Sequence, residues 1–132
     1  MKVKGFRRVS LLNTTGREIG YFTYETGDPM MVLRFGHLKS VSREVIEELM
    51  KIYDGPEGEL TGAEEKQLKK LENRICDALD YFLGTESSKH VFREIKPFAL
   101  MDGGRFWYSV VIDRIVKAVF PVLEATEREN ET

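Results

Sequence analysis

The segment from Arg105 to Leu123 constrains the fold more than any other part of the chain. It is the most apolar stretch in the sequence, and we expect a helix there, with Pro121 kinking or finishing its last turn. A helix in a small bundle usually hides an apolar stripe of about 100° or more. This helix would be apolar on almost every side. It is therefore either enclosed at the centre of the fold or in contact with a second polypeptide.

The second alternative supplies a set of candidate binding residues. Exposed aromatic clusters mark interaction sites, and Trp and Tyr are over-represented among residues that carry binding energy. We therefore predict that part of this helix, with two apolar residues that precede it, contacts another protein chain. The candidate partner-binding residues are Phe92, Ile95, Phe106, Trp107, Tyr108, Val111, Ile115, Val119 and Phe120. Complete enclosure of these side chains within one subunit would remove the basis for this prediction.

Two apolar runs near the beginning of the chain, residues 6–12 and 18–24, flank the turn-forming residues 13–16. Runs of β-branched and aromatic residues on either side of a glycine-containing turn predict a β-hairpin. Alternation along the second strand places Ile19 and Tyr21 on the same face. A two-stranded ribbon is marginally stable by itself, so the hairpin must pack on helices or join a neighbour's sheet.

The first long helix is expected after Asp28 and Pro29, which together form a helix start signal. From about Met30 to Tyr53, apolar residues recur every three to four positions, which is helical spacing. A break near Gly36 is the alternative, because glycine costs about 1 kcal/mol relative to alanine inside a helix. We favour one continuous helix.

Two further helices precede the apolar one. Thr61-Gly-Ala-Glu64 matches a capping box that begins a long helix, and Gly84 ends it. A short helical turn then carries apolar residues until Pro97 ends it. The predicted fold class is α+β, mainly α: an N-terminal β-hairpin followed by a three-helix antiparallel assembly with one short extra helix.

Length and composition favour one folded domain. The chain has 132 residues, of which 42% are hydrophobic and 32% charged, so it can bury a core and keep a solvated surface. We predict a single domain over residues 1–132. It comprises a β-hairpin arm at 1–27, a helical part at 28–123 and a frayed acidic tail at 124–132.

Charge and cysteine content bear on partners and compartment. Twenty basic and twenty-two acidic side chains give a net charge of −2, which disfavours a dedicated nucleic-acid binder. No window reaches the roughly 18 apolar residues of a membrane span, and the N-terminal residues lack the apolar stretch of a secretory signal. Cys76 is the only cysteine, so no intramolecular disulfide can form. We expect a cytoplasmic protein without nucleic-acid or membrane partners.

Residues that could carry chemistry are few and scattered. Cys76 lies within the apolar stripe of a helix, where a free cysteine usually behaves as a small hydrophobe. His37 and His90 have charged or loop-like neighbours, and no local pattern pairs either with Cys76 as base and nucleophile. The acidic loop at 54–59 lacks the ligand spacing of a helix-loop-helix calcium site. We predict no enzymatic activity, no catalytic residues, no metal, no cofactor and no small-molecule substrate.

Three short motifs follow one another along most of the chain. Tyr21-Phe22-Thr23-Tyr24 leads to Asp28-Pro29, and Arg34-Phe35 follows. The stretch from Gly84 to Phe92 has the form G-T/E-x-x-x-K-x-x-F. In this order, with an apolar last helix, the motifs resemble those of small tail-assembly proteins of siphophages and Firmicutes prophages.

Proteins of that type act as tail assembly chaperones, encoded beside the tape-measure gene. They coat the long, aggregation-prone tape-measure helix until tail-tube subunits polymerise around it. The resemblance implies a holding activity without turnover in the host bacterial cytoplasm. The partner would be the tape-measure protein or another tail protein, and homo-oligomers are compatible with it. The alternative is a small structural virion or tail component that oligomerises through its hairpin and C-terminal helix, and only such a component should remain in purified particles.

Overall fold

The computed structural model describes residues 6–53, 61–101 and 103–120. The predicted fold class, α+β and mainly α with an N-terminal antiparallel hairpin, is confirmed. The loop expected at 54–59 and the acidic tail at 124–132 lie outside the described residues. In chain order the elements are β1 (Phe6–Leu12), β2 (Glu18–Glu25), α1 (Met31–Tyr53), α2 (Gly62–Leu83), α3 (Ser87–Val91), β3 (Leu100–Met101), β4 (Arg105–Phe106) and α4 (Trp107–Val119).

Strands β1 and β2 form the predicted hairpin, with an antiparallel register that begins at Phe6 opposite Glu25. The side chain of Asn13 organises the turn, because its Oδ1 accepts the backbone N–H groups of Thr15 at 3.1 Å and Arg17 at 2.9 Å. Local side-chain chemistry therefore fixes where the chain reverses.

The register shifts near the turn. Leu11 lies opposite Gly20 and Leu12 opposite Glu18, so Ile19 is an extra residue on β2. Ile19 is buried, whereas Tyr21 lies on the outer face beneath the Arg8 guanidinium, 4.2 Å from the ring centroid. The prediction that Ile19 and Tyr21 share a face is wrong, because the bulge resets the alternation between them.

Helix α1 is continuous from Met31 to Tyr53, so the expectation of an unbroken helix through Gly36 is confirmed. Asp28 Oδ1 accepts the Met30 N–H at 2.9 Å just before the first turn. The buried residues of α1 recur at helical spacing and are Met31, Leu38, Val45 and Leu49. This stripe faces the interior of the fold.

Helix α2 begins with the predicted capping box. Thr61 Oγ1 accepts the Glu64 N–H at 3.1 Å, and the Glu64 carboxylate accepts the Thr61 N–H at 3.0 Å. Gly84 ends the helix with φ of 114°, as expected. The rings of Phe35 in α1 and Phe82 in α2 lie 5.6 Å apart, so the beginning of α1 meets the end of α2 and the two helices are antiparallel.

The short helix α3 packs directly against β2. A Cβ atom at Gly20 would lie 2.3 Å from the backbone oxygen of Val91, so only glycine permits this approach. Asp80 Oδ1 accepts the Ser88 N–H at 2.8 Å and fixes the start of α3. Phe92 and Ile95, expected within this helical turn, follow its last residue instead.

Helix α4 is shorter than the predicted segment and begins at Trp107. Arg105 and Phe106 form strand β4, which pairs with β3 in a small hairpin that the sequence did not predict. Ring contacts join Tyr53 to Phe106 at 5.9 Å and Phe35 to Phe120 at 5.0 Å. Since the start of α4 meets the end of α1, these two helices are antiparallel as well.

The hydrophobic core lies between the hairpin and the three long helices. Tyr24 in β2 donates its hydroxyl hydrogen to the Ala118 carbonyl of α4 at 3.2 Å, which joins the two layers. Every element longer than two residues contributes to this core. The side chains that are almost fully enclosed include Leu11, Phe22, Leu38, Val45, Leu49, Leu71, Ile75, Leu79, Phe82, Val91, Trp107, Tyr108, Val111 and Ile115.

Candidate protein-binding site

The core encloses much of the predicted partner-binding set. The exposed fraction is 8% for Phe106, 1% for Trp107 and Tyr108, and 0% for Val111 and Ile115. The hairpin, α1 and α2 together cover α4, although the sequence of α4 is apolar on almost every side. The prediction that these five residues face a partner is wrong, because their side chains already form the core of a single subunit.

The remaining four candidates are half-buried. Phe92 packs against the core after α3, and Ile95 lines an open groove. Val119 and Phe120 line a smaller depression near Val32, and Phe120 also contacts the ring of Phe35. The structure thus separates the nine candidates instead of gathering them on one surface.

The groove that contains Ile95 is a concave, mainly apolar surface with a volume of about 650 Å³. We name it the Leu100 groove, after the leucine that is 67% exposed in it. It lies where the end of α1 and the second turn of α2 meet the segment that precedes α4. Its apolar lining consists of Tyr53, Leu68, Ile95, Phe98, Ala99, Leu100 and Met101.

Aromatic rings support the groove from below. Phe98 contacts Phe106 at 6.2 Å and Tyr108 at 5.7 Å, both in edge-on geometry, and Tyr53 stacks on Phe106. Such pairs contribute about 0.5–1.5 kcal/mol beyond the area that they bury. The buried residues at the start of α4 therefore lie beneath the groove and are not part of its surface.

Backbone hydrogen bonds hold the same segment in place. The Trp107 N–H donates to the Ala99 carbonyl at 2.8 Å, and the Tyr108 N–H donates to the Pro97 carbonyl at 2.9 Å. These two donors belong to the first turn of α4, where N–H groups have no partner within the helix. The segment is thus anchored by its backbone, which leaves the Leu100 side chain facing outward.

Charged side chains also line the Leu100 groove. Glu94 accepts hydrogen bonds from Arg17 and, at 3.2 Å, from Arg93, while Glu72 lies 3.8 Å from the ammonium nitrogen of Lys69. These pairs are partly exposed and contribute little to stability. Their effect is to place solvated charge beside an apolar floor, which is the usual arrangement around the centre of a protein interface.

A second group of exposed apolar residues lies at the other end of α1. Its members are Phe6, Met30, Val32, Leu33 and Tyr81, which are 45% to 75% exposed. Depressions of about 210 and 290 Å³ lie near them. Leu33 is 68% exposed, almost the same as Leu100. Because α1 is roughly 35 Å long, the two leucines form a matched pair at opposite ends of the molecule.

Cys76 has an environment that opposes thiolate formation. Burial and, to a smaller extent, the nearby Glu72 carboxylate raise the pKa of its thiol to about 11, although a hydrogen bond with Ser88 acts in the opposite direction. The thiolate is the nucleophilic form of cysteine, so this thiol is a poor nucleophile at neutral pH.

The histidines and the acidic residues do not assemble into a site. His37 contacts the ring of Tyr81, and His90 stacks on Tyr21 at 4.7 Å. Over residues 6–53, 61–101 and 103–120, no group of three or more His, Cys, Asp or Glu side chains is arranged to hold a metal ion. Asp80, one of the acidic residues of α2, caps α3 instead.

Tyr108 is a buried titratable group whose ring contacts Phe98 of the groove. Burial raises the pKa of its hydroxyl to about 12, and a hydrogen bond with the Ser42 side chain opposes the rise. This hydrogen bond joins α4 to α1 inside the core. The phenol is therefore a neutral packing group that positions Phe98 above it.

Several residues of the groove were not among the sequence candidates, namely Tyr53, Leu68, Phe98, Leu100 and Met101. The signal that could have found them is the apolar run from Phe98 to Met101, which lies between Pro97 and two glycines. A run of four residues is too short to form a helix that could turn all of its apolar side chains toward the core. Some of these side chains therefore remain at the surface.

Two findings concern relationships and membranes. None of the helices in the described ranges is long and apolar enough to cross a membrane. Comparison of the chain with models of protein families, with curated proteins and with solved structures gave no match.

Proposed function

We propose that this protein is a tail assembly chaperone that binds a helix of the tape-measure protein and keeps it soluble in the host bacterial cytoplasm. The observation that carries the proposal is the Leu100 groove, an open apolar surface that residues 6–53, 61–101 and 103–120 leave uncovered. We propose the tape-measure protein as the partner because the motifs at 21–35 and 84–92 resemble those of siphophage tail-assembly proteins.

The shape of the groove suits a helical partner better than a small molecule. Small-molecule sites usually enclose most of their ligand, whereas this groove is open to solvent. An amphipathic helix can lay its apolar face into such a groove, with side chains at positions i, i+3 and i+4 as anchors. Leu100 and Tyr53 offer the apolar contacts at its surface, since they are 67% and 50% exposed.

The function requires binding and release without a chemical step. The groove is lined by Glu72, Glu94 and Lys96 besides its apolar residues, and the two carboxylates lie beside basic side chains. A holding activity needs only an apolar contact surface and a charged exterior that keeps the complex soluble. We therefore propose a non-enzymatic role for this chain.

Co-expression with the tape-measure protein of the same genome tests the proposal. The wild-type chain should keep a tape-measure fragment soluble and co-purify with it. Leu100→Glu should reduce the co-purified amount at least about tenfold, because a carboxylate replaces a side chain whose burial contributes about 1.5–3 kcal/mol. Leu33→Glu is the matched control, with the same change at an equally exposed leucine.

Two results would contradict the proposal. One is a fragment that remains equally insoluble with and without the wild-type chain. The other is equal co-purification with the Leu100→Glu and Leu33→Glu variants. Detection of the chain in purified virions at stoichiometric amounts would favour the structural-component alternative, because a chaperone leaves the finished tail.

A further inference from the structure

The charged side chains around the Leu100 groove do not balance one another. The charged residues of its lining are Glu72, Glu94 and Lys96. The Glu94 carboxylate is paired with two guanidinium groups, those of Arg17 and Arg93. One carboxylate cannot neutralise two cations, so positive charge is in excess on this side of the apolar lining.

The other carboxylates nearby do not remove this excess. Glu18 lies 3.9 Å from the guanidinium of Arg93, but its carboxylate is already bonded to Arg8 at 2.6 Å. Glu72 lies 3.8 Å from the ammonium nitrogen of Lys69. Each of these two carboxylates therefore has a basic partner of its own.

Lys96 is the lining residue whose charge has no partner. It is exposed, and no carboxylate of residues 6–53, 61–101 and 103–120 forms an ion pair with its ammonium group. The Lys96 carbonyl accepts the Ala99 N–H at 3.2 Å, so a turn fixes its backbone just before Leu100. A lysine can lay its methylene groups along an apolar surface and keep its ammonium group in water. The ammonium group can therefore meet a partner at the edge of the groove.

We propose that the helix bound in the Leu100 groove carries acidic side chains beside its apolar stripe, and that Lys96 selects it by an ion pair at the edge of the groove. This inference rests on the proposed function, because it names the chemistry of the helix that the groove binds. The binding segment of the tape-measure protein is then an amphipathic helix with Asp or Glu beside its anchors. A basic helix would meet uncompensated positive charge and would bind less well.

The apolar and the charged contacts act on binding in different ways. Burial of apolar anchors against Leu100 and Tyr53 supplies most of the affinity for any amphipathic helix. A charge at the edge of an interface mainly changes the association rate, and its effect falls as the salt concentration rises. Lys96 should therefore determine which helix is preferred, whereas Leu100 should determine how tightly every helix is held.

Synthetic helices test the charge preference without the tape-measure protein. Two fluorescently labelled amphipathic peptides have the same leucine stripe, and the positions beside the stripe are glutamate in one and lysine in the other. Fluorescence anisotropy measures the dissociation constant of each peptide with the full chain. At low ionic strength the glutamate peptide should bind at least about threefold more tightly. This preference should shrink in about 0.5 M salt, because salt screens exposed charges.

The variant Lys96→Glu reverses the charge at the proposed contact and should abolish or reverse the preference for the glutamate peptide. Lys39→Glu is the matched control, since Lys39 is also exposed and lies about 20 Å from Tyr53 along α1. It makes the same change in net charge and should keep the preference. Circular dichroism establishes that both variants remain folded.

The outcomes separate this inference from the proposed function. Equal binding of both peptides by the wild-type chain, with Leu100→Glu weakening both, would overturn the acidic preference and leave the groove as a helix-binding site. Equal loss of the preference in Lys96→Glu and Lys39→Glu would overturn the role of Lys96. If neither peptide binds, the inference fails together with the helix-binding groove on which it rests. A preserved glutamate preference without capture of the tape-measure fragment would contradict the proposed function alone.

Discussion

Helix α4 and the segment Phe98–Met101 just before it are both strongly apolar, yet they have opposite positions in the fold. The side chains of Trp107, Tyr108, Val111 and Ile115 in α4 are almost completely enclosed. Leu100, a few residues earlier, is two-thirds exposed. The difference teaches that apolar content measures how much surface a chain tends to hide, whereas the neighbouring elements decide which part of it is hidden.

The largest effect on stability should come from truncating a buried side chain of α4. Trp107→Ala removes the largest fully buried side chain and leaves a cavity, so the free energy of unfolding should fall by about 3–5 kcal/mol. Urea denaturation monitored by circular dichroism measures this change. A loss below about 1 kcal/mol would mean that α4 is not the central element of the core.

The second prediction tests the burial of α4 through the pH dependence of the free energy of unfolding. The pKa of Tyr108 is raised from 10.0 to about 12, so between these values the unfolded chain loses the phenol proton while the native chain keeps it. The stabilising contribution is complete below pH 10 and is lost as pH rises through 12. Its size is about 2–3 kcal/mol at most.

The measurement is the free energy of unfolding in urea as a function of pH. The Cys76→Ser background removes the alkaline titration of the thiol, whose pKa is also raised. In that background, Tyr108→Phe should be less stable near neutral pH, because it lacks the hydrogen bond with Ser42, and should lose less stability between pH 10 and 12. Parallel curves for the two proteins would contradict an enclosed Tyr108.

The smallest effect on stability should come from substitutions of exposed leucines. Leu100→Glu and Leu33→Glu both alter leucines that are about two-thirds exposed, so each should change the free energy of unfolding by less than about 0.5 kcal/mol. Thermal denaturation of the two variants beside the wild-type chain measures this. A loss of several kcal/mol in Leu100→Glu alone would show that the groove is a packed part of the core.

Local signals in the sequence predicted much of this fold because they act over a few residues. The capping box at Thr61 and Glu64, the stop at Gly84 and the continuous spacing of α1 are all confirmed. The face of Ile19 was not predictable, since a bulge depends on how two strands meet. The small hairpin of β3 and β4 was also missed, because two-residue strands have no periodicity.

The candidate site was harder to predict for a related reason. Phe106, Trp107, Tyr108, Val111 and Ile115 were selected for apolarity, but the hairpin packs over α4 and covers them. This contact is long-range, as the hydrogen bond from Tyr24 to Ala118 shows. Only Ile95 of the nine candidates lines the Leu100 groove, whose other residues come from α1, α2 and the segment before α4.

The fluorescence of Trp107 provides the most direct test of this division between core and surface, because it is the only tryptophan in the chain and is 1% exposed. In the folded protein we expect tryptophan emission typical of an apolar environment and weak quenching by acrylamide. In concentrated urea, the emission and the quenching should both become those of a solvent-exposed indole. Addition of the tape-measure fragment should leave the quenching unchanged, since we propose that this partner docks at Leu100 and not on α4. Strong quenching in the folded chain, relieved by the fragment, would instead place α4 itself at the binding surface.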